Sequence, residues 1–265
     1  LLHPRAVPHD QPITNAADRI LALQAVSHAF LIIAALLAGL MAFIWFSRRR
    51  ISDAADGVAD AGGGSVLDAL KSRWALFGSV AIGLYVGAEV SIGSIMINFL
   101  NQPEIMDLPL ETAGFYLANI YWMGALIGRF VGSYLLTRLA APKLLMTAAG
   151  FASLLCLTVA FSGGPMAGYA ALSVGLFNSI MFPTIFTITL ERAGVSQAST
   201  SGLLCVAIVG GAILPYVVGQ MADQSSLTLS FTIPMTAYAV IAIFGLLSQR
   251  AKVYHVDGAS APVEH

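Results

Sequence analysis

The stretch SRRRISDAADGVADAGGGSVLDALKSRW (residues 47–74) decides how the rest of the chain is read. It opens on Arg48, Arg49 and Arg50 and closes on Lys71 and Arg73. Between them lie Asp53, Asp56, Asp60 and the run Gly62-Gly63-Gly64, which is the composition of a flexible linker. Ser65, with Asp68 three residues later, reads as an N-cap that opens a short helix before the next apolar run. On the N-terminal side of this stretch stands one apolar run, 21–47. On the C-terminal side stand six: 75–100, 113–138, 143–162, 166–190, 198–222 and 230–249. A membrane helix needs about 20 mostly apolar residues, so one span precedes the linker and six follow it.

Composition agrees. Hydrophobic residues make up 57% of the chain, charged residues 10%, and mean hydropathy is +0.80. A soluble domain carries about 25% charged residues, and this chain has too few to coat a wetted surface. A net charge of −1 supplies no basic field for nucleic acid. Cys156 and Cys205 fall inside apolar runs and read as small packing residues, with no disulfide framework. Glycine loops for phosphate, metal-spaced His/Cys clusters and nucleophile elbows are lacking, so neither enzyme chemistry, a metal nor a cofactor is expected. His28, near the outer end of the first span, reads as a core or interface residue rather than a proton relay. The polar segment before Arg19 begins at Leu1 and has no basic region followed by an apolar core, so it reads as a loop of a longer protein rather than a signal peptide.

The loops set orientation. Lys and Arg cluster after the first, third, fifth and seventh spans, at 48–50, 71 and 73, then 138 and 143, 192, and finally 250 and 252. The alternate loops at 101–112, 163–165 and 223–229 contain neither, and the first of them carries Glu104, Asp107 and Glu111. The positive-inside rule puts the basic loops and the C-terminus in the cytoplasm. Arg5 and Arg19 run against it. The expected organisation is an extracytoplasmic loop (1–20), the last helix of a first half (21–47), a cytoplasmic linker (48–74), a six-helix bundle (75–250) and a cytoplasmic tail (251–265). One span, a long cytoplasmic linker and six spans match the end of a protein built from two six-helix halves, the plan of major facilitator transporters. The expected class is therefore an all-α membrane protein with seven transmembrane helices.

Within the spans, Glu89 and Arg129 are fully charged, and such residues persist where they face a cavity, a partner or a solute, because burying them in lipid costs at least about 2.5–3.5 kcal/mol. Glu89 is read as a pathway residue, accepting a substrate hydrogen bond or carrying a proton, with a structural ion pair as the rival. Arg129 is read as a gate or ion-pair residue. Tyr85 shares a helix face with Glu89, and Asn119, Trp122 and Arg129 fall on one stripe. Amide and carboxylate groups beside an aromatic plane suit the hydroxyls and the C–H face of a sugar. Asn98 lies roughly opposite Glu89 on a regular helix and joins the site only if the helix breaks near Gly93. Pro183 removes a backbone donor, so a break is expected in the fifth span. Asn178, about one turn before it, reads as a ligand contact or an interhelical hydrogen bond. Small-residue stripes at Gly124, Gly128 and Gly132, and at Gly211, Pro215 and Gly219, read as close-packing seams.

Three segments carry a family resemblance. They are residues 85–94 (YVGAEVSIGS), 128–135 (GRFVGSYL) and 182–186 (FPTIF). In this order they resemble the fucose–galactose–glucose:proton symporter family of the major facilitator superfamily, over about residues 75–250. The resemblance implies uptake of a hexose or deoxyhexose with a proton or sodium, by alternating access in a bacterial inner membrane. It also implies a first half, outside this chain, that carries the family's main proton-binding acids. Glu89 and Arg129 occupy motif positions. The superfamily's loop signature, Gly-x-x-x-Asp-Arg-x-Gly, is degenerate: counted from Gly132 it puts Leu136 where the acid belongs, and the arginine comes one place late at Arg138. Rival readings are an exporter of another solute or drug on the same fold, or a seven-helix receptor. The lack of a lysine deep in the spans argues against a retinal protein.

Overall fold

The computed structural model describes residues 16–55 and 65–254. The expected N-terminal loop before residue 16, the glycine run at 62–64 and the tail after residue 254 lie outside the described residues. The chain divides into two compact units, Leu1–Asp60 and Ala61–His265.

The first unit contains one described helix, α1 (Ala16–Ala55), which includes the apolar window Phe30–Ser47. Side chains from Phe30 to Phe46 are exposed along this window, as is His28. A helix that is apolar all round and buries none of its faces suits a lipid surround.

In the second unit every regular element among the described residues is helical. A one-turn helix, α2 (Val66–Ala69), starts at Ser65, which accepts from the Leu67 amide while Asp68 accepts from the Ser65 amide. Lys71 sits 2.9 Å from Asp68 and holds that carboxyl below its usual range. The contact is therefore present at neutral pH and fades as pH falls through the lowered Asp68 value. Next comes α3 (Arg73–Leu100), unbroken for 28 residues.

The third expected span is one helical path over 110–136. It consists of α4 (Leu110–Tyr116), a π-helical segment (Leu117–Trp122) and α5 (Met123–Leu136). The path continues with α6 (Ala141–Phe161) and then the pair α7 (Gly164–Asn178) and α8 (Met181–Arg192), bent by 40°. The pair α9 (Gln197–Ala207) and α10 (Gly210–Gln224) follows, and the last elements are α11 (Leu227–Ser230) and α12 (Thr232–Ser248). Among the described residues five stretches are long and apolar enough to cross a membrane, in α1, α3, α6, α9 with α10, and α11 with α12, and the bent pair makes a sixth. The path over 110–136 is the remaining expected span, divided by its π segment.

Central to the bundle is α3, which touches α7, α8, α9, α10 and α12. Its inner face buries Ile82, Tyr85, Ala88, Ile92, Met96 and Phe99. Small residues bring backbones together, as expected where lipid supplies no hydrophobic drive between helices. Gly210 lies against Gly83: a Cβ on Gly210 would fall 2.1 Å from the Gly83 carbonyl oxygen. Of the second expected stripe, Gly211 rests on Val86, whereas Gly219 has nothing within 4 Å. The tight contact therefore belongs to Gly210, one residue before that stripe.

The 40° bend follows from Pro183. It stands third in α8, where a missing amide hydrogen is tolerated. The chain turns just before, at Ser179 and Ile180. The stripe Gly124, Gly128 and Gly132 seats this bend: a Cβ on Gly128 would meet Leu176 O at 2.3 Å, and one on Gly132 would meet Ile180 Cγ2 at 2.0 Å.

At the end of the bundle that carries the basic loops, Arg192 is buried, with 6% exposure. Its Nε donates to Ser248 O at 2.9 Å and its Nη1 to Glu191 Oε2 at 2.8 Å. A cation thus adds a short, charged donor to a carbonyl at the end of α12 whose backbone partner, the Ala251 amide, is a long 3.4 Å away. Gly194 follows with φ +65, a left-handed helix stop that favours glycine. Arg192→Met, which keeps the volume and removes the donors, is expected to cost about 2–4 kcal/mol. Arg250→Met, at an exposed position, should stay within about 0.5 kcal/mol. Thermal melts of the two variants check this, and equal melts would deny Arg192 its fastening role.

Candidate functional site

Tyr85 and Glu89 are one turn apart on α3. Tyr85 is 3% exposed and its ring meets that of Phe182 on α8 at 6.1 Å. The Glu89 side chain is half-buried and lies beside the Tyr85 hydroxyl. Arg129, exposed on α5, acts electrostatically on both. Glu89 and Arg129 do not close into a direct ion pair among the described residues, so each keeps hydrogen-bonding capacity for another partner.

Trp122 closes the π segment and is 45% exposed. A Cβ on Gly93 would lie 3.6 Å from Trp122 Cζ2, so the indole rests over the α3 turn that follows Glu89. An added Cβ at 93 would make only an ordinary contact with the ring. The structure therefore gathers Tyr85, Glu89, Trp122 and Arg129 along the seam between α3 and the path over 110–136: a carboxylate, a cation and an indole plane on one open face, with the Tyr85 phenol buried beside them.

The other sequence candidates sit elsewhere. Asn119 is exposed on the π segment, and its Nδ2 donates to the Phe115 carbonyl of its own helix at 3.0 Å. Asn178 is fully buried, and its Nδ2 donates to Tyr121 Oη at 3.0 Å, an interhelical hydrogen bond one layer beneath Trp122. Asn98 is exposed at the far end of α3. The condition for including it, a break near Gly93, is not met: α3 is continuous to Leu100, so Asn98 stays on the side away from Glu89 and does not join the cluster.

Tyr121 was not legible as part of the site. It is fully buried, and its ring stands edge-on to Trp122 at 5.1 Å between centroids. On its backbone side, a Cβ on Gly175 of α7 would fall 2.3 Å from Tyr121 O. Nothing in the string LANIYW marks a wide turn, and an α-helical wheel does not place Tyr121 inward beside an outward Trp122 by any local rule. The face is open rather than concave. A cavity of about 330 Å³ lies apart from it, between α3, α10 and α12, and its lining of Leu84, Leu214, Ile233, Ala237 and Val240 with two threonines is apolar. It lacks the acceptors a polyhydroxylated solute needs.

No family model matches the chain. Relatives do. A glucose/galactose transporter of Brucella abortus (strain 2308) is 40% identical over 183 residues, covering 69% of this chain and 44% of that protein. The L-fucose-proton symporter of Escherichia coli (strain K12) is 32% identical over 221 residues, covering 82% of this chain and 48% of that one. A crystal structure of the major facilitator superfamily transporter FucP in the outward conformation matches with a TM-score of 0.63 at 32% identity, over 66% of this chain and 42% of that chain. This chain spans less than half the length of these relatives. Apolar helices of crossing length, the superposable fold and identity at this level agree, and the stretch of chain described here belongs to the fucose–galactose–glucose:proton symporter family of the major facilitator superfamily.

Proposed function

We propose that this chain is the C-terminal portion of a secondary active transporter, not an enzyme. It would import a hexose or deoxyhexose with a co-transported cation by alternating access. The observation that carries the reading is the Glu89 carboxylate held half-buried beside Tyr85, with the Trp122 indole over the next turn. A sugar asks for hydroxyl partners and an aromatic plane together. The open face is the surface a first six-helix half would cover, and the solute would lie between the halves near the bilayer midplane. The printed names of the relatives, glucose/galactose transporter and L-fucose-proton symporter, support a monosaccharide as the solute and a proton, rather than sodium, as the coupled cation. The family and the distribution of basic residues support a bacterial inner membrane with the C-terminus in the cytoplasm.

The test uses the full gene product in proteoliposomes with labelled glucose, galactose and fucose. An imposed gradient of one pH unit, equivalent to about 1.4 kcal/mol, should drive accumulation of at least one of these sugars up to about tenfold. A sodium gradient at equal pH should not. Drug efflux without sugar uptake overturns the reading in favour of an exporter, and sodium-driven accumulation replaces the proton.

A further inference from the structure

Behind the open face runs a string of polar groups that the proposed binding chemistry does not use. Tyr121, Asn178 and Tyr238 are each fully buried, on the π segment, α7 and α12. Asn178 Nδ2 donates to Tyr121 Oη at 3.0 Å. Asn178 Oδ1 and Tyr238 Oη have no hydrogen-bond partner, although the two side chains face one another. Buried polar groups are normally paired, and two orphans in mutual view are an exception that calls for a reason. Plain packing gives none, since phenylalanine and leucine would fill the same volume at no desolvation cost.

Hydrogen-bond direction supplies one. The Tyr238 hydroxyl, which makes no bond here, could donate only to the oxygen end of the Asn178 amide. The amide shows its oxygen to that side and gives Nδ2 to Tyr121. With its oxygen accepting from Asn178, the Tyr121 hydroxyl has its own proton to give away from Asn178. The Tyr121 ring meanwhile stands edge-on to Trp122, a favoured aromatic geometry that resists tilting of the indole. The polar groups that act on Glu89 are Tyr85 on its own helix and Arg129 on α5.

We propose that Tyr121 is a positioning residue for Trp122, and that Asn178 holds it from inside the bundle without touching the solute. This rests on the reading of Glu89 and Trp122 as the sugar face.

The full gene product is the material, with Tyr121→Phe, Asn178→Leu, Tyr238→Phe and the double variant Asn178→Leu/Tyr121→Phe. The double variant removes both ends of one hydrogen bond while keeping the volume, so it is expected to fold even if Asn178→Leu alone does not. Tyr121→Phe should raise the half-saturation concentration for sugar about tenfold, with the maximal rate kept within about twofold. The double variant should be no worse than Tyr121→Phe, since both changes cut the same string. Tyr238→Phe is the control: it deletes an unpaired hydroxyl, so the melting temperature should be unchanged or higher and half-saturation should stay within about twofold.

A second readout needs no sugar. With Trp45, Trp74 and every tryptophan of the full gene product outside this chain replaced by phenylalanine, iodide quenching attributable to Trp122 should increase in Tyr121→Phe and in the double variant. Absence of sugar uptake by the unmodified protein would sink the transport reading while leaving this quenching comparison standing. Unchanged quenching and half-saturation in Tyr121→Phe and in the double variant would overturn the proposal and leave the string a packing feature.

Discussion

Gly210→Ala is expected to prevent the bundle from closing around α3. The added Cβ would fall 2.1 Å from Gly83 O and 2.6 Å from Gly83 Cα. The opposing atoms are backbone, so no rotamer change relieves the clash and the helices themselves must part. Overpacking of a core costs about 1–3 kcal/mol when side chains can adjust. Here they cannot, and a loss of about 3 kcal/mol or more is expected. Separation would spread, because the same crossing holds Gly87 against Leu214 and Gly211 against Val86. The check is the yield and melting temperature of monodisperse full-length protein, with Gly219→Ala as the control. Gly219 has open space around it, so its alanine variant should lie within about 0.5 kcal/mol of the parent. Matching melts for the two variants would show that the two helices do not meet at Gly83 and Gly210.

Glu89→Gln is expected to abolish gradient-driven accumulation while leaving expression and monodispersity intact. Glutamine keeps the shape and can still pair with Tyr85, but it cannot ionise. Two roles for the carboxylate separate cleanly. If Glu89 carries the coupled proton, accumulation is lost while sugar exchange across the membrane without a gradient persists. If Glu89 accepts hydrogen bonds from the sugar, exchange also suffers: a charged hydrogen bond contributes about 1.5–3 kcal/mol, so half-saturation rises about 10- to 100-fold. Undiminished accumulation in the variant would remove Glu89 from the pathway altogether. Expression is expected to survive because the side chain is only half-buried and forms no direct ion pair with Arg129 whose loss would strand a charge.

Much of the architecture was readable because the bilayer enforces it. Spans such as Ala141–Phe161 and Leu227–Ser248 differ from the expected 143–162 and 230–249 by only a few residues, since apolar length is a property of the string itself. Ser65 with Asp68 gave a true capping box, and Pro183 gave a true bend, because both act through atoms within a few residues. What escaped depends on partners remote in sequence. A helical wheel finds small residues but not their neighbours, so Gly219 looked equivalent to Gly211 until α3, through Val86, was seen to lie against one and not the other. Asn178 was equally compatible with a ligand or a helix contact, and only Tyr121, 57 positions away, decides which hydrogen bond is formed. Regularity can mislead as well. Gly93 looked like a weak point in α3, yet the helix runs on undisturbed past it, with the Trp122 ring alongside.

The π segment at Leu117–Trp122 bears on which length changes the third span can absorb. A π turn bonds residue i to i+5 and so holds one residue more than an α turn of the same rise. Deleting a single residue within 117–122 would therefore let the helix relax to ordinary α geometry, with α4 and α5 each keeping the side they present to the bundle. The same deletion at Gly128 would rotate everything beyond it by about 100° and turn Gly132 off the bend it seats. Related chains that differ by one residue in this span should have their gap in the wide turn, and alignments that put it elsewhere will misassign which residues face the solute.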